Sequence, residues 1–244
     1  MSARPTVLWD LDGTLIGLRK RTFTTLMPGA AAWVFRDLVP PHRFLPVLRR
    51  TLRDVRANDT EHTNTELMLR LLGERTGIGH TVAASRLTRL AEVEFVRLRA
   101  CFPARPAAAA TVRDLTAAGA RQVVATNPLW PLSTVEARIR WGGHDRAAFS
   151  YVTCGENMHR SKPRLDFYRE LLDRLGVSTR ECVMIGNDPG NDGPATELGI
   201  PVFLLGARPA DVPPAMVRTG LVTTGDHRAL RRWLDIEEDS CSSS

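Results

Sequence analysis

A short apolar run, Thr6 to Trp9, ends in two aspartates, Asp10 and Asp12, which a glycine follows. Such a run is typical of a strand buried on both faces of a parallel sheet. Open α/β sheets bind their ligands at the carboxyl ends of the strands, which is where Asp10 stands. Alternate side chains of an extended chain point the same way, so both carboxylates are expected on one side, with Gly13 allowing a close turn. An Asx-turn or a helix N-cap formed by one of the acids is the alternative interpretation.

Two later segments carry groups that suit an anionic phosphate. A second apolar run, residues 122–125, ends in Thr126 and Asn127, which can donate several hydrogen bonds to phosphate oxygens. Lys162 lies just before a predicted helix whose start a proline marks, so its ammonium is expected to reach an anion near that loop. Among the 33 lysines and arginines, only Lys20 and Lys162 are lysines. Lys162 is therefore either kept because the site needs a compact positive charge or present by chance.

The fourth segment repeats the chemistry of the first. The apolar run 181–186 is followed by Asn187, Asp188 and, four residues further, Asp192. If Asp188 and the two aspartates of the first segment converge, each pair of carboxylates repels by about 4 kcal/mol at roughly 4 Å, for an effective dielectric constant of about 20. A cation is therefore expected among them. Oxygen donors with no cysteine or histidine nearby in the sequence favour a hard ion, and a site shared with phosphate favours Mg²⁺ over Ca²⁺.

Strand ends that carry Asp/Asp, Thr/Asn, Lys and Asp/Asp in this order resemble the four motifs of the haloacid dehalogenase superfamily. The resemblance covers residues 5–16 and about 107–206, and the stretch between them is similar in kind to the superfamily's helical (C1-like) cap. It implies that Asp10 is the nucleophile and Asp12 the general acid and base. Thr126 and Lys162 would also be catalytic groups. It further implies phosphate-binding residues, which are Thr126, Asn127 and Lys162, and Mg²⁺ ligands, which are Asp10, Asp12 and Asp188.

One position departs from the superfamily pattern. Many relatives place an aspartate directly after the glycine of the fourth motif, where this chain has Asn187. Either the loop is shifted by one residue, or Asn187 binds the metal through its amide oxygen. The interpretation favoured by the sequence is that Asp188 is the metal ligand. Asp192 would then lie behind it and hold Lys162 or a metal-bound water.

The resemblance implies a Mg²⁺-dependent phosphatase that acts on a small phosphorylated metabolite. Asp10 would attack phosphorus and form an aspartyl-phosphate. Asp12 would protonate the departing oxygen and later deprotonate the attacking water. Relatives that remove halide from carbon characteristically lack this second aspartate, so Asp12 favours phosphate chemistry. A phosphomutase on the same scaffold, or an interaction protein with this fold and no turnover, are the alternatives.

Residues 17–105 lose strand character and show helical spacing instead. We therefore predict an α/β protein, with a Rossmann-like parallel sheet core in residues 1–16 and 106–244 and an all-helical cap domain in residues 17–105, inserted after the first strand. The links near Gly17 and Pro103 would be hinges on which the cap opens and closes. The predicted cap helices are 30–39, 43–57, 63–76 and 81–101. In the core, the predicted strands are 121–126, 149–153, 181–186 and 201–205, and the predicted helices are 107–118, 132–140, 163–175, 193–198 and 226–236.

Charge is unevenly distributed along the chain. Residues 17–105 contain 16 basic and 8 acidic side chains, whereas the whole chain has a net charge of +6. The excess positive charge thus belongs to the predicted cap, where it either steers an anionic substrate or forms a solvated, arginine-rich surface. Nucleic acid is not an expected partner, because the sequence has no basic ribbon interleaved with aromatic residues and no known nucleic-acid motif.

A cytoplasmic protein is expected. No apolar run approaches the roughly 20 residues of a membrane span, and the N-terminus lacks the basic-then-apolar layout of a signal peptide. The four cysteines show neither close pairing nor metal-ligand spacing, which predicts reduced thiols. They are Cys101, Cys154, Cys182 and Cys241. The polar end, residues 240–244, is predicted to be disordered, and the sequence does not indicate an oligomeric state.

Overall fold

Residues 4–236 are described by a computed structural model, in which six strands form one sheet. The strands are β1 (Thr6–Trp9), β2 (Gln122–Val124), β3 (Tyr151–Val152), β4 (Cys182–Gly186), β5 (Val202–Leu205) and β6 (Val222–Gly225). The strand order is β3-β2-β1-β4-β5-β6, and every neighbouring pair is parallel. The predicted Rossmann-like sheet is confirmed.

Both faces of this sheet are covered, which explains why the central strands β1, β4 and β5 are mostly apolar. Val7 and Trp9 of β1 belong to one hydrophobic cluster, while Leu8 between them belongs to another. The first cluster also contains residues of α6, α7 and α10, and the second is built on α8. These helices are α6 (Pro106–Ala117), α7 (Leu132–Trp141), α8 (Leu165–Leu175) and α10 (His227–Trp233), with a 3-10 helix at Gly193–Leu198 and a short α9 at Pro214–Val217.

The strand order reverses next to β1. The chain runs outward from β1 through β2 to β3, and then returns to the other side of β1 for β4, β5 and β6. The carboxyl ends of β2, β1 and β4 therefore lie side by side at the crevice where such sheets bind ligands.

Only helices occur between β1 and α6. They are α1 (Lys20–Phe35), α2 (Pro41–Arg56), α3 (Asn64–Thr76) and α4 (His80–Arg89), followed by a π-helical turn (Leu90–Glu94), α5 (Phe95–Arg97) and a 3-10 turn (Arg99–Cys101). We call residues 20–101 the helical segment. Its two links to the sheet run side by side, since the Gly17 amide donates to the Pro103 carbonyl at 2.8 Å. Its separation as a cap domain, residues 17–105, stays a prediction.

Two helices of the helical segment differ from the sequence prediction. Helix α1 begins at Lys20 and not at residue 30, because it continues through Pro28 and Gly29. Burial of Met27 and Phe35 on its inner face outweighs the hydrogen bond that the proline cannot donate. The helix predicted over 81–101 is interrupted by the π-helical turn, where the Phe95 amide donates to the Leu90 carbonyl.

Several sequence predictions concern the whole chain. Cys101, Cys154 and Cys182 are buried and form no disulfide. Cys241 and the polar end predicted to be disordered lie outside the described residues. Across residues 4–236, every helix is too short or too polar to cross a lipid bilayer.

Candidate active site

Lys162 joins three of the four predicted motifs. Its Nζ donates to Asp10 Oδ1 at 2.9 Å and to Asp192 Oδ1 at 2.7 Å, and its side chain is only 1% exposed. Asp10 follows β1, Asp192 lies in the loop after β4, and Lys162 lies between β3 and α8. The order of strands in the sheet thus brings together residues that are up to 182 positions apart.

Asp192 is a fixed anchor for this ammonium. It is fully buried, and its second oxygen, Oδ2, accepts hydrogen bonds from the backbone amides of Asn187 and Asp188, both at 3.1 Å. Gly186 at the end of β4 makes room for it, since a Cβ at that position would lie 2.1 Å from Asp192 Oδ2. The predicted contact between Asp192 and Lys162 is present in the structure.

Burial and charge shift the pKa values of this cluster. Burial raises the pKa of the Asp10 carboxyl to about 7, against the opposing effect of the Lys162 ammonium, and the negative charge of Asp192 adds to the increase. Burial alone would lower the pKa of Lys162, but the carboxylates of Asp10 and Asp192 outweigh it and hold that pKa above its usual value. Lys162 therefore stays charged, while Asp10 competes with Asp192 for a single ammonium.

The turn after Asp10 contacts the loop after β4. The Thr14 hydroxyl lies 3.4 Å from Asp10 Oδ2 and 3.2 Å from Asn187 Oδ1, so these two oxygens converge on the same group. Gly13 has φ +98°, and a Cβ there would lie 2.6 Å from Asn187 Nδ2. Glycine is thus required both by the left-handed backbone and by the close approach of the amide.

Asn187, and not Asp188, has the side chain that contacts the Asp10 turn. The Asp188 carboxylate accepts hydrogen bonds from the Gly190 amide at 2.9 Å and from Asn191 Nδ2 at 2.8 Å, both within its own loop. The preference for Asp188 as metal ligand is therefore not reflected in the geometry. Of the two sequence hypotheses, an amide oxygen of Asn187 facing the site agrees better with the structure.

Thr126 and Asn127 occupy the end of β2, as predicted. The Thr126 carbonyl accepts from the Thr153 hydroxyl at 2.7 Å, which fixes the backbone and leaves the Thr126 hydroxyl outside this bond. Asn127 Nδ2 is 3.4 Å from the Lys162 carbonyl, while its Oδ1 is buried and has no partner within residues 4–236. Two predicted phosphate-binding segments therefore contact each other.

Arg138 is a site residue that sequence reasoning missed. It lies in α7, its side chain is 1% exposed, and its Nη1 donates to Asp12 Oδ2. The signal was present in the sequence, because Arg138 follows Thr134 and Val135 by four and three residues and so falls on the buried face of the helix. An arginine on an apolar helix face requires a partner, and that partner is Asp12.

The loop that carries Lys162 is also tied to the helical segment. Arg160 donates to the carbonyls of Asn58, Asp59 and Thr60 at 2.8 to 3.3 Å, and Arg164 donates to those of Ala57 and Asn58 at 3.0 Å. We call these five hydrogen bonds the arginine strap. It binds the carbonyls of the C-cap residue of α2, Ala57, and of the loop that follows it.

Asn64, the first residue of α3, adds to this attachment. Its buried side chain donates through Nδ2 to the Pro128 carbonyl at 3.1 Å and lies 3.4 Å from Ser161 Oγ, and its amide donates to the Met158 carbonyl at 2.9 Å. The helical segment is thus attached to the sheet here as well as at the two links predicted as hinges.

The predicted metal site is only partly assembled. Within residues 4–236, no group of three or more His, Cys, Asp and Glu side chains is arranged to hold a metal ion. The Asp12 carboxylate is bound by Arg138 and that of Asp188 by its own loop, so the predicted three-carboxylate set is not preformed. Asp10 Oδ2 and Asn187 Oδ1, which share the Thr14 hydroxyl, nevertheless fit Mg²⁺, which binds few protein oxygens beside water and phosphate.

The model of the haloacid dehalogenase-like hydrolases matches residues 5–197. No curated protein sequence gives a significant match.

Several solved structures share the fold over nearly the whole chain. A HAD phosphatase from Thermococcus onnurineus superimposes with a TM-score of 0.56 at 17% identity, covering 96% of this chain and 99% of that one. An L-2-haloacid dehalogenase from Xanthobacter autotrophicus gives 0.52 at 15% identity, covering 95% and 98%. CbbY from Rhodobacter sphaeroides in complex with phosphate gives 0.52 at 22% identity, covering 84% and 87%. At these identities the similarity establishes the fold alone.

Proposed function

The chain belongs to the haloacid dehalogenase-like hydrolase family, and from this premise we propose that it is a Mg²⁺-dependent phosphatase. Its substrate would be a small phosphorylated metabolite. The hydrolysis would pass through an aspartyl-phosphate formed on Asp10. Solved structures of similar fold include both phosphatases and dehalogenases, so the choice between them depends on the site residues of this chain.

The observation that carries the proposal is the second carboxyl group beside the nucleophile. Asp12 lies two residues after Asp10, and its Oδ1 is buried and free of partners within residues 4–236. A halide leaves carbon as a stable anion and needs no proton. The alkoxide that leaves a phosphate monoester does need one, and a carboxyl group with a free oxygen can supply it. Asp12 therefore supports phosphate chemistry.

The site residues suit both halves of such a reaction. In the first half, an Asp10 carboxylate oxygen bonds to phosphorus, the bond to the ester oxygen breaks, and the proton of Asp12 passes to that oxygen. In the second half, Asp12 takes a proton from water as the water oxygen bonds to phosphorus and the Asp10 carboxylate departs. The net products are an alcohol and inorganic phosphate, and Asp12 ends in its starting state.

The remaining groups orient the substrate and balance its charge. Lys162 lies 2.9 Å from Asp10 and can bind a phosphate oxygen as that carboxylate becomes esterified. Thr126 and Asn127 can donate hydrogen bonds to the other phosphate oxygens. Mg²⁺, held by Asp10 and Asn187, would supply the positive charge that lets an anionic nucleophile approach an anionic phosphate.

Phosphate release tests the proposal directly. The wild-type protein is expected to release inorganic phosphate from p-nitrophenyl phosphate only with Mg²⁺, and Asp10→Asn to lose roughly a thousandfold or more in kcat. Asp173→Asn, which alters an exposed aspartate of α8, is the matched control and should keep wild-type activity. Wild-type activity in Asp10→Asn would refute the nucleophile.

Further substrates separate the alternatives. Release of halide from a 2-haloacid, with no phosphate release from any monoester, would identify a dehalogenase. Conversion of one sugar phosphate into its isomer, faster than release of inorganic phosphate, would identify a phosphomutase. A phosphatase is expected to do neither.

A further inference from the structure

The contact between Arg138 and Asp12 engages only one side of each group. Arg138 Nη1 donates to Asp12 Oδ2, and Arg138 Nε lies 3.4 Å from the Thr134 carbonyl. The remaining nitrogen, Nη2, and the remaining carboxylate oxygen, Oδ1, are both buried and have no hydrogen-bond partner within residues 4–236. A planar guanidinium and a carboxylate can pair through two parallel bonds, and this pair does not.

Two unpaired buried groups in one contact call for a ligand. Each is destabilising when it is left without a partner. Nη2 can only donate, whereas Oδ1 accepts when the carboxylate is ionised and donates when it carries the proton. A group that satisfies both must accept one hydrogen bond and donate another, which describes a hydroxyl or a water. A bare anion would satisfy Nη2 and repel Oδ1.

On the basis of the proposed function, we propose that Arg138 is a positioning residue for Asp12. Arg138 Nη1 holds Oδ2, so that Oδ1 faces the oxygen that changes its bonding to phosphorus. In the first half-reaction this is the ester oxygen, which receives the proton of Oδ1 as its bond to phosphorus breaks. In the second it is the water oxygen, which bonds to phosphorus and gives its proton back to Oδ1. Nη2 donates to the same oxygen in both steps.

The surroundings of Arg138 fix its direction. Its guanidinium lies 5.6 Å from the centre of the Phe95 ring, which belongs to the helical segment. Phe95 in turn packs against Trp130 and Trp141, with ring centroids 4.8 and 5.9 Å away. The arginine is thus held between an aromatic cluster and the carboxyl group that it orients.

A purely structural ion pair makes a different prediction from a positioning residue. If Arg138 only stabilised the packing of α7 on the helical segment, its loss would affect all substrates alike. A positioning residue acts through proton transfer, so its loss affects a substrate in proportion to the need of its leaving group for a proton. p-Nitrophenolate leaves without being protonated, whereas the alkoxide that leaves glycerol phosphate needs a proton.

The test compares these two esters in the wild type and four variants. Arg138→Met is expected to lower kcat/KM for glycerol phosphate about 100-fold more than for p-nitrophenyl phosphate, and Arg138→Lys to restore part of that difference. Arg140→Met, an exposed position on the same helix, is the control and should behave like the wild type. Asp12→Asn is expected to show the same selective loss as Arg138→Met.

A double variant and a crystal structure complete the test. If Arg138 acts through Asp12, the combined Asp12→Asn and Arg138→Met protein loses no more on glycerol phosphate than Asp12→Asn alone. A crystal structure with orthovanadate is expected to place Asp12 Oδ1 and Arg138 Nη2 within hydrogen-bond distance of one apical oxygen. If Arg138→Met fails to fold, Arg138→Lys and this structure still decide the outcome.

The possible failures are distinguishable. Equal losses on both esters in an active protein, or an Asp12 Oδ1 far from the vanadate oxygen, would overturn the role of Arg138 and leave the phosphatase proposal intact. A wild-type protein that hydrolyses neither ester would refute the proposed function and this inference with it.

Discussion

Asp10, the proposed nucleophile, is buried at the expense of stability. Its carboxyl group is buried and shares the Lys162 ammonium with Asp192, which raises its pKa to about 7 from 3.8. Without a metal, the folded protein therefore binds a proton at Asp10 that the unfolded chain releases at lower pH. The stability from this proton is fully present below about pH 4 and is lost as pH rises through about 7.

Replacing Asp10 by asparagine is thus expected to stabilise the metal-free protein at alkaline pH. With EDTA, wild type and Asp10→Asn should melt at similar temperatures near about pH 4, whereas at about pH 8 the variant should be more stable by a few kcal/mol. Differential scanning calorimetry across this range measures the effect. Melting curves that stay parallel between the two proteins at all pH values would contradict the shifted pKa.

Asn187 gives a second prediction at the scale of one residue. Asn187→Asp has nearly the same shape, so it fits beside Gly13, and it adds a negative charge to the oxygen that faces Asp10 Oδ2. The Mg²⁺ concentration for half-maximal activity should fall roughly tenfold, because each added carboxylate strengthens binding of a hard cation. Asp188→Asn is the comparison, and it should change this concentration less. The reverse order of effects would identify Asp188 as the ligand.

The residues of the site were predictable to different degrees. Asp10, Thr126 and Lys162 could be placed because polar residues at the carboxyl ends of parallel strands meet at one edge of the sheet. The direction of Asp188 could not, because it depends on hydrogen bonds inside one short loop. Arg138 was missed because its partner, Asp12, is 126 residues away in sequence, so that only its position on a buried helix face signalled it.

At the scale of elements, regular patterns were predictable and local exceptions were not. The strands at both sides of β1 and helices α2, α3, α6, α7 and α8 agree with the sequence within a few residues. Strand β6 was missed because its four half-buried residues, Val222–Gly225, show no apolar run. The π-helical turn was missed because it depends on the packing of Phe95 against aromatic rings distant in sequence.

The arginine strap gives a prediction at this scale. Arg160→Ala combined with Arg164→Ala removes five hydrogen bonds between the Lys162 loop and the end of α2. Local opening of residues 57–65 should become easier by about 1–3 kcal/mol, because these bonds are partly exposed.

Hydrogen–deuterium exchange of backbone amides measures this opening. Arg169→Ala, which removes an exposed ion pair with Asp166 on the surface of α8, is the control and should leave the exchange of residues 57–65 unchanged. Equal protection of residues 57–65 in the double variant and the wild type would show that the strap contributes nothing.

At the scale of the molecule, charge is separated along the chain. Residues 17–105 carry 16 basic and 8 acidic side chains, and they are hydrogen-bonded to the loop that carries Lys162. If this field attracts a phosphorylated substrate, kcat/KM should fall several-fold between about 0.02 and 0.2 M NaCl, while kcat stays constant. Steady-state kinetics of a dianionic ester provide the measurement. A kcat/KM that is independent of salt would assign the arginines to a solvated surface.

Arg160 and Lys162 are separated by a single residue, so the arginine strap and the ammonium that binds Asp10 are carried by the same few ångströms of backbone. Displacing the helical segment would pull on that backbone and shift Lys162 away from Asp10. With Asp10 as the proposed nucleophile, the protein should then be inactive while the helical segment is displaced, so that an aspartyl-phosphate would not react with bulk water. Slower turnover in the Arg160/Arg164 double variant, with unchanged affinity for phosphate, would be the kinetic evidence that the position of the helical segment controls Lys162.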